Sequence, residues 1–188
     1  MYNNNKDHIV SRSAVTRIPK IIHFIWLGPL NLPKASIDCM FSWKKLHPDW
    51  QFVFWTDRER TAVFDGMEVR QVTDALFTKL SEQYHLSLNY GEKSDILRLE
   101  ILNKEGGIYM DHDALCLHAF DPLCESFDFF VGLERPHAGT CSSIFPCIGM
   151  FGSVPSHPIL QDTINRISDS WEESTKQYLQ ESVATLVV

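Results

Sequence analysis

The 188 residues contain no C-x-x-C pair, no long hydrophobic run, no cluster of basic residues and no internal repeat. Each absence closes off a class of protein. The five cysteines, Cys39, Cys116, Cys124, Cys141 and Cys147, are an odd number without the paired spacing of a zinc site. They read as free thiols of a reducing compartment rather than a disulfide framework. The longest apolar stretch runs from Ile21 to Leu27 and includes His23, far short of the ~20 residues of a membrane span. Residues Met1 to Asp7 are polar and Asn-rich, with neither the basic start nor the apolar core of a signal peptide. The expected location is therefore cytoplasmic, and a secreted effector without a leader would share these features. Lys and Arg total 17 against 24 Asp and Glu, a net charge of −7. Nucleic acid and anionic membrane are excluded as main partners, because phosphate backbones need clustered positive charge. A small anionic ligand is not excluded, since one metal ion and one Arg could hold it.

Hydrophobic residues make up 44 % and charged residues 22 %, the balance of a globular domain. Residues 1–17 read as a loose arm and 18–188 as one domain. Strands are expected over Ile21–Leu27, Gln51–Trp55, Glu68–Val72, Ile108–Asp111, Phe129–Leu133 and Ile148–Ser153, from β-branched and aromatic runs bounded by turn residues. Helices are expected over Pro33–Leu46, Asp74–Tyr84, Tyr90–Glu105 and His157 to about Tyr178, the last with a possible break near Ser168–Ser170. Strands alternating with helices predict an α/β fold with a mainly parallel sheet, whose ligands sit at the carboxyl ends of the strands.

The sharpest local feature is Gly106-Gly107-Ile108-Tyr109-Met110-Asp111-His112-Asp113. An apolar strand runs into two carboxylates at i and i+2. On an extended backbone both point one way and His112 points the other. Two like charges held together are unfavourable without a cation nearby. Oxygen donors without sulfur favour Mg²⁺ or Mn²⁺. The competing reading is a solvated acidic turn.

In the preceding helix the angular positions put Glu92, Lys93, Glu100, Asn103 and Lys104 on the wet face. Ser94, Asp95 and Arg98 fall inside the apolar arc, with Asp95 and Arg98 an i, i+3 pair. Desolvation offsets most of the attraction in a buried ion pair, so the pair reads either as ligand-binding or as a structural bridge. Trp26 stands at the carboxyl end of the first strand, where an indole could stack a nucleobase or simply pack. Trp43, Trp50 and Trp55 read as packing.

Four motifs occur in order: Ile18-Pro19-Lys20-Ile21-Ile22-His23-Phe24-Ile25-Trp26-Leu27-Gly28; Pro48-Asp49-Trp50 with Trp55-Thr56-Asp57; Lys93-Ser94-Asp95-Ile96-Leu97-Arg98; and the Gly106–Asp113 segment. Together they resemble the DXD-type sugar-transfer family, which includes fungal initiating α-1,6-mannosyltransferases and the glucosylating large bacterial cytotoxins. The resemblance covers about Ile18 to Leu123. It implies a GT-A nucleotide-sugar fold and a retaining transfer of a hexose from a nucleotide-diphosphate sugar to a glycan or protein acceptor, with Mn²⁺ or Mg²⁺. It assigns Trp26 to base stacking, and Ser94, Asp95 and Arg98 to the ribose and donor sugar. Tyr109 is implied to bind donor beside the metal motif. Asp111 would touch ribose or sugar and reach the metal through water, and Asp113 would ligate the metal directly. Beyond Leu123 the pattern departs from the family. Val154-Pro155-Ser156-His157-Pro158 resembles a family stretch, but Cys147-Ile148-Gly149 stands where an Asn is expected.

Two other readings compete. An apolar strand followed by Asp-x-Asp also opens haloacid-dehalogenase-type phosphatases, with the first Asp as nucleophile; here 110 residues precede it and no Gly-Asp-x-x-x-Asp follows. The other is a non-catalytic sugar-nucleotide-binding or interaction protein on a decayed transferase scaffold; the intact Asp95, Arg98, Asp111 and Asp113 speak against decay, while the missing Asn and the short tail allow it. The apolar end, Val183 to Val188, predicts that the chain is a fragment of a longer enzyme, because termini are ordinarily polar.

Overall fold

A computed structural model describes residues 17–134 and 145–185, with side chains as far as residue 173. The arm expected over residues 1–17 (Arg17 apart), Cys141, and the side chains of the apolar end lie outside the described residues. Six strands form one sheet in the order β3-β2-β1-β4-β6-β5. The strands are β1 (Ile21–Ile25), β2 (Gln51–Thr56), β3 (Met67–Gln71), β4 (Gly107–Met110), β5 (Phe129–Leu133) and β6 (Pro146–Ser153). Four of them, β3, β2, β1 and β4, are parallel neighbours, and β6 and β5 complete the sheet antiparallel. The sheet is therefore mixed but mainly parallel. Its helices are α1 (Lys34–Leu46), α2 (Ser81–Leu86), α3 (Tyr90–Glu105), α4 (Asp121–Ser126) and α5 (Pro158–Thr185).

Alternation along β1 divides the core between the two sheet faces. Ile22 and Phe24 pack with Phe52, Phe54, Met40 and Trp43 beneath α1. Ile25 packs with Val53, Trp55, Leu97, Ile101, Leu160 and Ile164 beneath α3 and α5. Both faces of the parallel strands are thus covered, as such strands require. Trp43, Trp50 and Trp55 are all buried.

Helix α3 is bounded as its sequence dictates. Asn89 Oδ1 accepts the Glu92 backbone N–H at 2.8 Å, a side-chain N-cap. Gly106 follows the last turn at φ 68°, and Gly107 enters β4 at φ 92°. A Cβ on Gly107 would sit 2.7 Å from the Ile21 carbonyl, so this strand can lie against β1 only with glycine there. His23, fully buried in β1, joins the same junction. Its Nε2–H donates to the Gly106 carbonyl at 3.0 Å, and its Nδ1 accepts Trp55 Nε1–H at 3.1 Å. Those two partners fix a neutral tautomer, and burial pushes the imidazole down to about 3.

Several expectations need correction. Asp74–Tyr84 is not one helix but a 3₁₀ turn, Asp74–Leu76, followed by α2. The interruption has a specific cause. Glu100, expected on the wet face of α3, is fully buried and accepts the backbone N–H groups of Thr78, Lys79 and Leu80 at 2.8, 3.0 and 2.7 Å. Those amides turn toward the carboxylate instead of continuing a helix. Asn103 is buried as well. The short α4 had no helical signal, and α5 continues through Ser168–Ser170, where Ser170 Oγ donates to the Arg166 carbonyl. Among the described residues no helix is long and apolar enough to cross a membrane.

Candidate active site

A cavity of about 600 Å³ opens at the carboxyl ends of β1 and β4, beside the first turns of α3. Six of the seven residues singled out in the sequence line it: Trp26, Ser94, Arg98, Tyr109, Asp111 and Asp113. The seventh, Asp95, stands beside it and ion-pairs with Arg98 Nη2 at 2.7 Å. Its side chain is 52 % exposed against 8 % for Arg98, so the pair is not buried as a unit. Partial burial pushes the Asp95 carboxyl up against the pull of Arg98, and the charges of Asp111 and Glu92 add to the rise.

The two carboxylates do not extend the strand. β4 ends at Met110, and Asp111–Asp113 form a turn closed by the Ala114 N–H on the Asp111 carbonyl at 3.2 Å. The alternation expected of an extended chain therefore fails, and His112 lines the same cavity as its neighbours. The backbone of Asp111 is still held by the sheet, since its N–H donates to the Gly149 carbonyl at 2.8 Å.

Asp111 is tightly engaged. Tyr109 donates its hydroxyl hydrogen to Oδ1 at 2.6 Å, and Arg98 Nη1 lies 3.5 Å from the same oxygen. Oδ2 lies against Gly149, where an added Cβ would come within 2.5 Å. Tyr109 is itself buried, and desolvation first of all keeps its phenol protonated. Arg98 organises the group. Nε donates to the Ser94 carbonyl at 3.2 Å, Nη1 to the Ile148 carbonyl on β6 at 2.9 Å, and its guanidinium carbon lies 4.3 Å from the Tyr109 ring centre. One always-charged fork thus joins α3, β4 and β6. Asp113 is exposed and belongs to the cavity lining.

Trp26 is partly buried and donates Nε1–H to the Leu30 carbonyl at 2.8 Å. Sequence reasoning missed the residues that hold this loop. The Gly28 N–H donates to Asp57 Oδ1 at 3.1 Å, and Arg60 donates to the Gly28 and Leu30 carbonyls. Tyr90, 47 % exposed, completes the cavity wall. Asp57 belongs to one of the four motifs but had no role there, whereas Arg60 carries no periodic or motif signal. The Asp57 carboxyl is held below the usual range, mainly by Arg58.

The donor set suits a hard divalent ion. Asp113 is an exposed carboxylate residue of the lining, and Asp111, whose Oδ1 is engaged by Tyr109 and Arg98, keeps its side chain 42 % exposed at the same cavity. Among the described residues no three His, Cys, Asp or Glu converge on one point. Mg²⁺ and Mn²⁺ fit such a two-carboxylate site, because they retain waters and fill the remaining positions with phosphate oxygens.

Known proteins resemble this chain in sequence and in fold. The family described as glycosyltransferase sugar-binding region containing DXD motif matches residues 33–130, just over half of the chain. The chain is 31 % identical over 158 residues to Subversion of eukaryotic traffic protein A of Legionella pneumophila, covering 75 % of this chain and 24 % of that protein. It is 33 % identical over 162 residues to inositol phosphoceramide mannosyltransferase 3 of Schizosaccharomyces pombe, covering 86 % and 40 %. The chain thus spans less than half the length of these relatives. Among solved structures, the UDP-bound glycosyltransferase domain of the YGT toxin superposes with a TM-score of 0.57 at 14 % identity, over 93 % of this chain and 65 % of that one. The fold is the GT-A glycosyltransferase fold, and the chain belongs to the DXD-containing glycosyltransferase sugar-binding family.

Proposed function

We propose that this chain transfers a hexose, with retention of anomeric configuration, from a nucleotide-diphosphate sugar to a glycan or protein acceptor, using Mn²⁺ or Mg²⁺. The observation that carries the reading is the convergence of Trp26, Ser94, Arg98, Tyr109, Asp111 and Asp113 on one cavity at the strand ends. The YGT toxin domain, which shares the fold, binds UDP, and this supports a nucleoside-diphosphate donor.

In this reading the donor base lies on the Trp26 ring and the diphosphate reaches toward Asp113. Asp113 would hold the ion directly and Asp111 through water; when bound, the ion neutralises the diphosphate leaving group. Tyr109 and Arg98 keep Asp111 in one orientation, so its position is set before the donor arrives. Ser94 and Asp95 stand on the first turns of α3, where they can meet ribose and sugar hydroxyls. No residue at the cavity is required as general base, because the departing phosphate oxygen can take the acceptor hydroxyl's proton.

The test is to incubate the protein with Mn²⁺ or Mg²⁺ and a panel of UDP- and GDP-sugars and to follow sugar release. Metal-dependent hydrolysis of one or more donors is the expected result. No release from any donor, combined with no binding of UDP or GDP in the presence of Mn²⁺, would overturn the proposal.

A further inference from the structure

The turn that carries the two carboxylates is not a free loop. Helix α1 binds it almost residue by residue. Ser36 Oγ lies 2.9 Å from His112 Nδ1, Cys39 Sγ donates to the Asp113 carbonyl at 3.4 Å, and Trp43 Nε1 donates to the Ala114 carbonyl at 2.7 Å. Ser42 Oγ then accepts the Cys116 N–H at 2.8 Å. Asp111 is held from the opposite side, by Tyr109, Arg98 and Gly149.

His112 occupies the pivot of this arrangement. The hydroxyl it meets is buried, since Ser36 is only 2 % exposed. Its ring also meets Trp26 edge to face, with centroids 4.8 Å apart and planes at 88°. Trp26 and Asp113 both line the cavity, and His112 touches the first while being bonded to the second through the backbone. A polar contact to a buried anchor restrains a ring far better than a contact to water, because a displaced ring leaves both partners unpaired.

We propose that His112 is a positioning residue, anchored on Ser36, that sets the Trp26 ring and the Asp113 carboxylate relative to one another and so tunes nucleotide and metal binding together. This rests on the nucleotide-sugar reading of the cavity. It assigns a role to the middle residue of the Asp-x-Asp turn and to a serine of α1. Groups that orient metal ligands from behind typically change metal affinity about 10- to 100-fold when removed.

The experiment uses the whole chain with Ser36→Ala, His112→Ala, the double variant and His112→Asn, whose amide can meet Ser36 from near the Nδ1 position. Mn²⁺ binding is read by electron paramagnetic resonance, and UDP and GDP binding in the presence of Mn²⁺ by calorimetry. The thermal midpoint is recorded alongside. The expected result is that His112→Ala weakens both Mn²⁺ and nucleotide binding roughly tenfold or more. Ser36→Ala should weaken both to a lesser degree, the double variant should be no worse than His112→Ala, and His112→Asn should recover most of the loss. A midpoint that falls while both affinities stay at the wild-type level would overturn the proposal, since that is the mark of a purely structural contact. Additive losses in the double variant would overturn the Ser36 anchor. A wild-type chain that binds neither Mn²⁺ nor nucleotide would overturn this inference together with the nucleotide-sugar reading, whereas wild-type binding with unaffected variants would overturn this inference alone.

Discussion

The Tyr109 hydroxyl donates to Asp111 Oδ1 at 2.6 Å, and this one bond separates two carboxylates that look equivalent in sequence. Asp111 is tied to Tyr109 and Arg98 with its side chain 42 % exposed, whereas Asp113 is exposed at the cavity. Asp113→Asn should therefore abolish measurable Mn²⁺ binding. Tyr109→Phe should weaken it by about tenfold or more, by releasing Asp111 from its set orientation. Titration of Mn²⁺ by electron paramagnetic resonance distinguishes the two, and equal losses from Asp113→Asn and Tyr109→Phe would contradict the division of labour.

Trp26 lines the cavity with its Nε1–H already bonded to the Leu30 carbonyl, so the ring face is what it has to offer a ligand. Stacking of a base on an aromatic ring contributes ~1–3 kcal/mol. Trp26→Ala should then weaken nucleotide binding by roughly 5- to 150-fold, measured by calorimetry with UDP and GDP. Unchanged affinity would return Trp26 to the core.

Gly149 offers a test that removes no functional group. A Cβ there would meet Asp111 Oδ2 at 2.5 Å, so Gly149→Ala should displace the carboxylate. Turnover of the accepted donor should drop by roughly tenfold or more, as expected when a site is misplaced by a fraction of an ångström. Normal turnover in a normally folded variant would show that the orientation of Asp111 is unimportant.

Glu100 makes the opposite prediction, a loss of stability without loss of chemistry. Its buried carboxylate accepts three backbone N–H groups and the Thr78 hydroxyl. Glu100→Ala would leave those donors buried and unpaired, a loss of about 3–5 kcal/mol by analogy with broken buried charge networks. Urea unfolding should show it, while folded variant protein keeps its Mn²⁺ affinity.

Stability should also fall as the solution is acidified. Burial lowers the His23 imidazole to about 3 and lowers His47 as well. Both are bases with depressed values, so the unfolded chain takes up protons that the folded one refuses. Their contribution is whole above the ordinary value of 6.5 and is lost as pH falls from there toward the folded value. For His23 alone, the loss between pH 6.5 and about pH 5.5 is about 1 kcal/mol. Urea midpoints measured across that interval should decline, and His23→Gln should flatten the decline. A pH-independent wild-type midpoint would contradict the neutral tautomer.

Much of this architecture was legible in the sequence because strand and helix periods were strong. Phe129–Leu133 and Tyr90–Glu105 have the bounds expected. What failed did so for two local reasons. Angular position places Glu100 among the charged residues of α3, where charge implies solvent, yet the turn at Thr78–Leu80 covers that face and supplies donors. The same contact broke the helix expected over Asp74–Tyr84. His112 departs from the direction its sequence position predicts because two-residue alternation holds only while the strand lasts, and β4 stops at Met110. Asp57 and Arg60 act through backbone carbonyls and amides of a distant loop, contacts that leave no periodic trace.

Strand β1 is hydrogen-bonded on both edges, and β2 and β4 beside it are buried along nearly their whole length, whereas β5 at the sheet edge is only partly covered. The backbone of residues 22 and 23, paired with both β2 and β4, is therefore among the least able to open without unfolding the whole domain. They belong to the strand that leads into Ile25 and Trp26 of the cavity lining. Deuterium should enter them last, and a ligand at Trp26 meets a wall that does not yield.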